Sequence, residues 1–383
     1  MVFAVVYFCS LIAPFNQFKV PPLIPVLIQD LQISEVQAGL LMSVFAVSGA
    51  ILALPAGLLY RRYGPTFVGT VAVASAGIGS AIGALSADPS MLLAGRLIEG
   101  TGMGMTAVVA IATVAAWFPP ERRTIPMAIL TTWIPVGQSL ILAIAPRVYL
   151  LAGWRAVWWL GAVVALLAAA LFAWLVRLPV GSTSVTLTAR ASSMRSALRE
   201  PGPWWLAIFF STFHMARAAF GTWTPTYLVN EAGFSLQDAA TTVSLFYLAS
   251  IPAALPGGWL IERIGSRKRA YIAVSLASIP AYAAAYVLDP RLVGLFAVWT
   301  GLCAAVVPTA VNGITPETVR DPTLVGPAVG VVAIGRNGGQ LLAPVLVAPI
   351  IAAHAPWGWV GGVVVVLLLA GIAAGSRVGE RGA

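Results

Sequence analysis

The chain has 383 residues, of which 59% are hydrophobic and only 9% charged, and its mean hydropathy is +0.91. A soluble domain carries about a quarter charged residues, so this composition leaves too little polar surface for a water-soluble globule of such length. The net charge of +9 and pI of about 10.1 invite a nucleic-acid reading, but the basic residues sit in short turns between apolar runs, which favours a membrane.

Nearly uncharged runs long enough to cross a bilayer recur along the whole chain. They predict an all-α membrane protein of twelve transmembrane helices, roughly 3–28, 36–59, 67–86, 91–117, 125–151, 155–176, 204–229, 237–261, 270–288, 292–314, 326–353 and 358–376. The first run reads as a retained span, since it has neither a basic leader nor a small-residue cleavage site. Ser34 with Gln37, and Ser235 with Asp238, stand where N-cap and N3 residues open the second and eighth helices. Ala87-Asp88-Pro89-Ser90, Phe118-Pro119-Pro120-Glu121-Arg122-Arg123 and Asp289-Pro290-Arg291 combine proline with charge where helices must end. Residues 177–203, small and polar with interspersed arginines, form a cytoplasmic linker between six-helix bundles at 1–176 and 204–383.

The two bundles are copies of one another. Pro55-Ala56-Gly57-Leu58-Leu59-Tyr60-Arg61-Arg62-Tyr63-Gly64 returns 201 positions later as Pro256-Gly257-Gly258-Trp259-Leu260-Ile261-Glu262-Arg263-Ile264-Gly265. The same offset pairs Ser43 with Ser244, Phe45 with Phe246, Gly100 with Gly301 and Gly137 with Gly338. A period this long describes two homologous halves, not a solenoid. With both termini in the cytoplasm, fifteen of the 22 Lys and Arg fall in cytoplasmic turns and only Arg155 and Arg291 fall outside, so the positive-inside rule sets the orientation.

These residues resemble the major facilitator superfamily over essentially the whole chain. That family's signature after its second helix is Gly-x-x-x-Asp-Arg-x-Gly followed by basic residues, echoed after its eighth. Gly258, Glu262, Arg263, Gly265, Arg267 and Lys268 match the second copy. Gly57, Arg62 and Gly64 match the first, but Arg61 stands where the acid belongs, which puts the first-half cytoplasmic latch in doubt. Arg96-Leu97-Ile98-Glu99-Gly100-Thr101-Gly102 resembles the family's fourth-helix signature. The resemblance implies halves that alternate around a midplane site, with the first, fourth, seventh and tenth helices lining a cavity. It also makes Gly57, Arg62, Gly64, Gly258, Glu262, Arg263 and Gly265 a gating motif.

Five cations lie inside predicted spans, Lys19, Arg96, Arg147, Arg217 and Arg336, against one clear acid, Glu99. A charge at mid-span costs about 2.5–3.5 kcal/mol on insertion scales, so each needs a partner or a watery cavity. The excess of positive charge makes an anionic substrate the economical explanation. Arg96 and Glu99, three residues apart, can form a structural ion pair or a proton relay. Arg147, near a helix end, can snorkel to the interface. Lys19 shares a face with Asn16 just before Pro21 and Pro22, where it can serve an anion or satisfy carbonyls freed by the prolines. His214, Arg217, Gly221, Thr224 and Leu228 make a mostly polar stripe on the seventh helix. Arg336-Asn337-Gly338-Gly339-Gln340 resembles a nitrate-porter signature, but Pro135-Val136-Gly137-Gln138 lacks it, so nitrate is disfavoured.

The leading expectation is an alternating-access carrier of a small anion, similar to cyanate-permease and anion-symporter branches. Lys19, Arg217 and Arg336 would attract the anion, and Asn16, Gln17, His214, Gln138 and Asn337 would hydrogen-bond it. Glu99 with Arg96 would couple transport to protons. A proton-coupled drug exporter is the second reading, opposed by the missing glycine-rich signature after Gly137 and by the scarcity of intramembrane acid. A non-transporting sensor is the third. Cys9 and Cys303 read as small buried hydrophobes, and the two histidines are too sparse for zinc. Neither an enzyme, a metal, a cofactor nor a nucleic-acid partner is expected. The chain is expected to be a monomer in a prokaryotic cytoplasmic (inner) membrane.

Overall fold

Prolines, caps and left-handed residues set the helix boundaries in the computed structural model, which describes residues 2–119, 122, 124–177, 198–321 and 324–379. Helix α1 (Val2–Phe18) stops ahead of Pro21 and Pro22, whose missing N–H groups interrupt the ladder. A 3-10 turn (Pro21–Leu23) leads into α2 (Ile24–Leu31), so the expected first helix is one path in two pieces. Helix α3 (Glu35–Ala84) opens on a complete capping box between Ser34 and Gln37 and contains both the second and third expected spans, broken at Gly64. Asp88 caps α4 (Pro89–Trp117) by accepting from the Met91 amide. Helices α5 (Thr124–Thr131) and α6 (Trp133–Leu175) carry the fifth and sixth expected spans, with a break at Ala152 and Gly153. Most of the linker expected at 177–203 lies outside the described residues.

The second half repeats the plan with its helices broken at other places. Helix α7 (Pro201–Asn230) is followed by α8 (Leu236–Ser250) and α9 (Ala254–Ile264), so the expected 237–261 helix is interrupted. Pro252 lies in the gap and can neither donate to the helical ladder nor fit its ring beside the preceding turn. Ser266 caps α10 (Arg267–Ala284), and α11 (Val293–Ile314), α12 (Val325–Ala352) and α13 (Gly358–Gly375) complete the chain. The chain divides into two units, Met1–Leu187 and Thr188–Ala383. Cys9 and Cys303 are buried and free.

The backbone carries the repeat. Among the described residues, six have positive φ: Gln32, Gly64, Gly153, Gly233, Gly265 and His354. They form three pairs separated by the sequence offset of 201: Gln32 with Gly233, Gly64 with Gly265, and Gly153 with His354. Gly64 (φ 77°) and Gly265 (φ 71°) close the two copies of the signature turn, a conformation that glycine adopts without a Cβ clash.

Close helix crossings repeat as well. A Cβ on Gly100 would overlap the Phe45 carbonyl and the Ser48 hydroxyl, and one on Gly301 would overlap the Phe246 carbonyl and meet Ala249 Cβ at 3.1 Å. Lipid offers no hydrophobic drive for helix association, so such bare backbone contacts supply the packing.

Eight stretches of described helix are long and apolar enough to cross a membrane by length and composition. Helix α7 is not among them because it carries Thr212, His214, Thr222, Thr224 and Thr226, all buried inside the protein. Its polarity faces neighbouring helices rather than lipid, which marks it for function.

Gly100→Val and Gly301→Val should each destabilise the protein by about 1–3 kcal/mol through overpacking. Gly362→Ala, whose Cβ would meet nothing within 4 Å, should leave the melting temperature in detergent unchanged. Equal melting of all three variants would refute the close-crossing account.

Candidate functional site

In the first unit, the proline break and the buried charges form one cluster. Pro21 has no N–H, so the Gln17 carbonyl one helical turn earlier lacks its usual donor. Arg96 on α4 supplies the replacement: its guanidinium donates to the Gln17 carbonyl at 3.2 Å, to the Asn16 carbonyl at 2.8 Å and to the Leu41 carbonyl at 3.0 Å. It also donates to Glu99 Oε2. Lys19 Nζ donates to Glu99 Oε1 at 2.6 Å, to Ser80 Oγ at 2.6 Å and to Asn16 Oδ1 at 3.0 Å. The ammonium lies 4.8 Å from the Trp158 ring and the Arg96 guanidinium 4.5 Å from that of Phe45. Lys19, Arg96, Glu99 and Asn16 are all 0% exposed.

Small residues make that density possible. A Cβ on Gly79 would collide with the Glu99 amide and the Gly95 carbonyl, and one on Gly161 with Asn16 Oδ1. The i,i+3 pairing of Arg96 with Glu99 follows the sequence expectation, but Lys19 departs from it. Instead of facing an anion, its three hydrogens are all engaged inside the protein, because its side chain reaches an acid 80 positions away. The Gln17 carbonyl freed by Pro21 is satisfied by Arg96. Gln17 and Gln138 are buried on α1 and α6, and Gln138 Oε1 has no hydrogen-bond partner. Arg147 is exposed on α6.

The second unit is built differently. Arg217 on α7 stands 5.3 Å from the Phe246 ring, with Tyr247 and Tyr282 within electrostatic reach. Its Nε is buried and has no protein partner. His214, one turn earlier, is 5% exposed, packs edge-on against Phe210 and Phe213, and has no partner for Nε2. Helix α12 packs along α7. It comes so close that a Cβ on Gly335 or Gly339 would overlap the Ala207 or Ser211 carbonyl. That contact brings exposed Arg336 within electrostatic reach of His214, while its Nε donates to Asn337 Oδ1 at 3.3 Å. Among the described ion pairs none includes Arg217 or Arg336.

The structure therefore groups His214, Arg217, Arg336 and Asn337 in one unit, and Lys19, Asn16, Arg96 and Glu99 in the other. Sequence reasoning missed Ser80, Trp158, Phe246, Tyr247 and Tyr282. Only the matching of Phe45 with Phe246 across the repeat gave a signal.

In the signature turns, Arg62 lies 5.2 Å from the Tyr63 ring and Arg263 5.2 Å from that of Trp259. Gly57 lies within α3 and Gly258 within α9. Glu262 is exposed and belongs to none of the described ion pairs, whereas Arg267 pairs with Glu317 after α11.

Membrane-length helices in a twofold repeat, holding ionisable side chains away from lipid in each half, define a polytopic membrane transport protein. The chain belongs to the Major Facilitator Superfamily, whose sequence profile matches residues 6–344, with a second match over 240–378. It is a secondary transporter and not an enzyme, with the twelve-helix, two-bundle fold of that family. A gallate transporter of Pseudomonas putida is 27% identical over 346 residues, covering 80% of this chain and 76% of that protein. The 4-hydroxybenzoate transporter PcaK of Pseudomonas aeruginosa is 27% identical over 362 residues, covering 83% and 78%. The inward-facing, unoccupied crystal structure of a bacterial homologue of the human lysosomal transporter Spinster matches with a TM-score of 0.84. At 16% identity, over 98% of this chain and 96% of that one, the likeness is of fold alone.

Breaking a buried ion pair by removing one partner costs about 3–5 kcal/mol, because it strands an uncompensated charge. Glu99→Gln strands two cations, whereas Lys19→Met leaves a neutral Arg96–Glu99 pair. Glu99→Gln should therefore melt at the lower temperature in detergent. The reverse order would show that the carboxylate is not what holds the cluster.

Proposed function

We propose that the chain carries a small organic anion, a carboxylate of the hydroxylated aromatic class, across a prokaryotic cytoplasmic membrane by alternating access. The observation that carries this reading is Arg217: a cation deep in a helix, with a buried Nε that has no protein partner and no carboxylate paired with it. The anion's carboxylate would complete that guanidinium. His214 Nε2 and Asn337 lie on the helices that present the charge and would bond the substrate's hydroxyls. Phe246, Tyr247 and Tyr282 around Arg217 suit an aromatic ring. The relatives that transport gallate and 4-hydroxybenzoate support this class. Arg336, exposed on α12, would draw the anion in before Arg217 receives it.

The buried Lys19–Glu99–Arg96 cluster would couple transport to protons, as the ionisable group set apart from the substrate's own countercharge. The signature turns at Gly64 and Gly265, with Arg62, Arg263 and Glu262, would gate the cytoplasmic side. Both termini would be cytoplasmic and the working unit a monomer. A drug exporter fits less well, because an uncompensated cation repels cationic drugs.

The test is uptake into proteoliposomes from a panel of 4-hydroxybenzoate, gallate, benzoate, nitrate and small dicarboxylates, with and without a pH gradient. Hydrogen bonds to charged groups contribute about 1.5–3 kcal/mol, so Arg217→Gln should weaken the half-saturating concentration of the accepted anion by about ten- to a hundredfold. If no anion on the panel is taken up and none raises the melting temperature, the anion reading fails.

A further inference from the structure

The first-unit cluster holds two cations and one carboxylate, so it carries a net charge of +1 where Lys19, Arg96 and Glu99 are each 0% exposed. The groups facing Lys19 are Asn16 in the last turn of α1, Ser80 on α3, Arg96 and Glu99 on α4, and the Trp158 ring on α6. Only Arg96 and Glu99 among them are ionisable. A guanidinium keeps its proton in proteins, so a proton can enter or leave this cluster at two places only.

We propose that the Lys19 ammonium, and not the Glu99 carboxyl, is the group that releases and rebinds the transported proton. The inference rests on the proton-coupled reading above and names its atom. One Nζ–H bond breaks, the electron pair stays on Nζ, and the proton passes to water on the side to which the carrier is open. The cluster then goes from +1 to neutral. Protonating Glu99 would take it to +2. A low-dielectric interior penalises net charge, so the change at Nζ is the one the surroundings accept.

Ser80 lets both states remain hydrogen-bonded. Its hydroxyl accepts from Lys19 Nζ at 2.6 Å and donates to the Trp158 carbonyl at 2.6 Å. When Nζ becomes an amine it gains a lone pair, and the hydroxyl can turn to donate to it while the Trp158 carbonyl keeps its place in the α6 ladder. Asn16 Oδ1 and Glu99 Oε1 continue to accept the two hydrogens that remain.

The chain contains two lysines, Lys19 and Lys268, and Lys268 lies on the far side of its unit's signature turn, outside the cluster. Isotope-labelled lysine in the full-length wild type thus gives two Nζ resonances, with Lys268 as internal reference. The Lys19 signal should move from the ammonium to the amine position across the pH range in which a pH gradient drives 4-hydroxybenzoate uptake. Lys19→Arg, fixed in the charged state, should lose gradient-driven accumulation and keep counterflow exchange of the same anion. A Lys19 signal that stays ammonium while wild-type uptake follows the gradient overturns the proposal, as does a Lys19→Arg variant that still accumulates anion. Should Lys19→Arg fail to fold, the wild-type titration decides alone. Wild-type uptake indifferent to the gradient would remove proton coupling itself, and this inference with it.

Discussion

The interaction on which the first half depends is the hold of Arg96 and Lys19 on Glu99 beside a broken helix. Two prolines deprive α1 of donors at a depth where unsatisfied carbonyls cannot turn to water. Arg96 takes over the Gln17 carbonyl that Pro21 frees and also holds that of Asn16, and Glu99 offsets its charge. Lys19 then fills the second oxygen of Glu99 and, through Ser80, fastens α1 to α3 and α6. Each contact satisfies a group that another contact would leave stranded. This explains why glycines, and not larger residues, line the crossings at 79, 95 and 161. A network satisfied to this degree specifies one arrangement of its helices, since any partial version is costly.

The second half keeps the framework and changes the charges. Phe45 and Phe246 occupy equivalent places 201 residues apart, each backed by a glycine and each facing an arginine. The arginines are not equivalent. Arg96 comes from the fourth helix of its half, whereas Arg217 comes from the first helix of its own, at the position matching Asn16. The offset also matches Glu99 with Thr300 and Lys19 with Phe220. Duplication therefore preserved a place for a cation over an aromatic ring, while the acid that closes it survives in one half only. On the function proposed above, an anion would complete the half in which it is missing.

Much of the fold was legible because its signals are local. Ser34 with Gln37 formed the expected capping box, Ser235 capped its helix, the turn at Asp88-Pro89 separated two helices, and the 201-residue offset reappeared as matched left-handed residues. What escaped was non-local or a matter of degree. Hydropathy ran through Pro252, so α8 and α9 looked continuous, although the proline's missing N–H divides them. Arg96 and Glu99 were visible as a pair because they are three residues apart. Nothing in sequence spacing ties Lys19 to Glu99, or Phe246 and the tyrosines to Arg217. Counting five cations against one acid says nothing of location: Lys19, Arg96 and Glu99 form a buried cluster of +1 in the first half, where Arg147 is exposed, and Arg217 and Arg336 stand in the second.

That separation bears on how a carrier can keep two charges from interfering. A carboxylate with an unoccupied oxygen would be open to a further cation. Glu99 instead has both oxygens occupied within its own unit, by Lys19 and Arg96. In the proposal above, a proton change at Lys19 Nζ is felt first by α1. It carries Asn16, Lys19 follows its last residue, and its backbone ladder is already broken there. Loss of one hydrogen from Lys19 Nζ changes what fastens α1 to α3 without touching the carbonyl clamp of Arg96. The break at Pro21 and Pro22 supplies the compliance, and the clamp limits it.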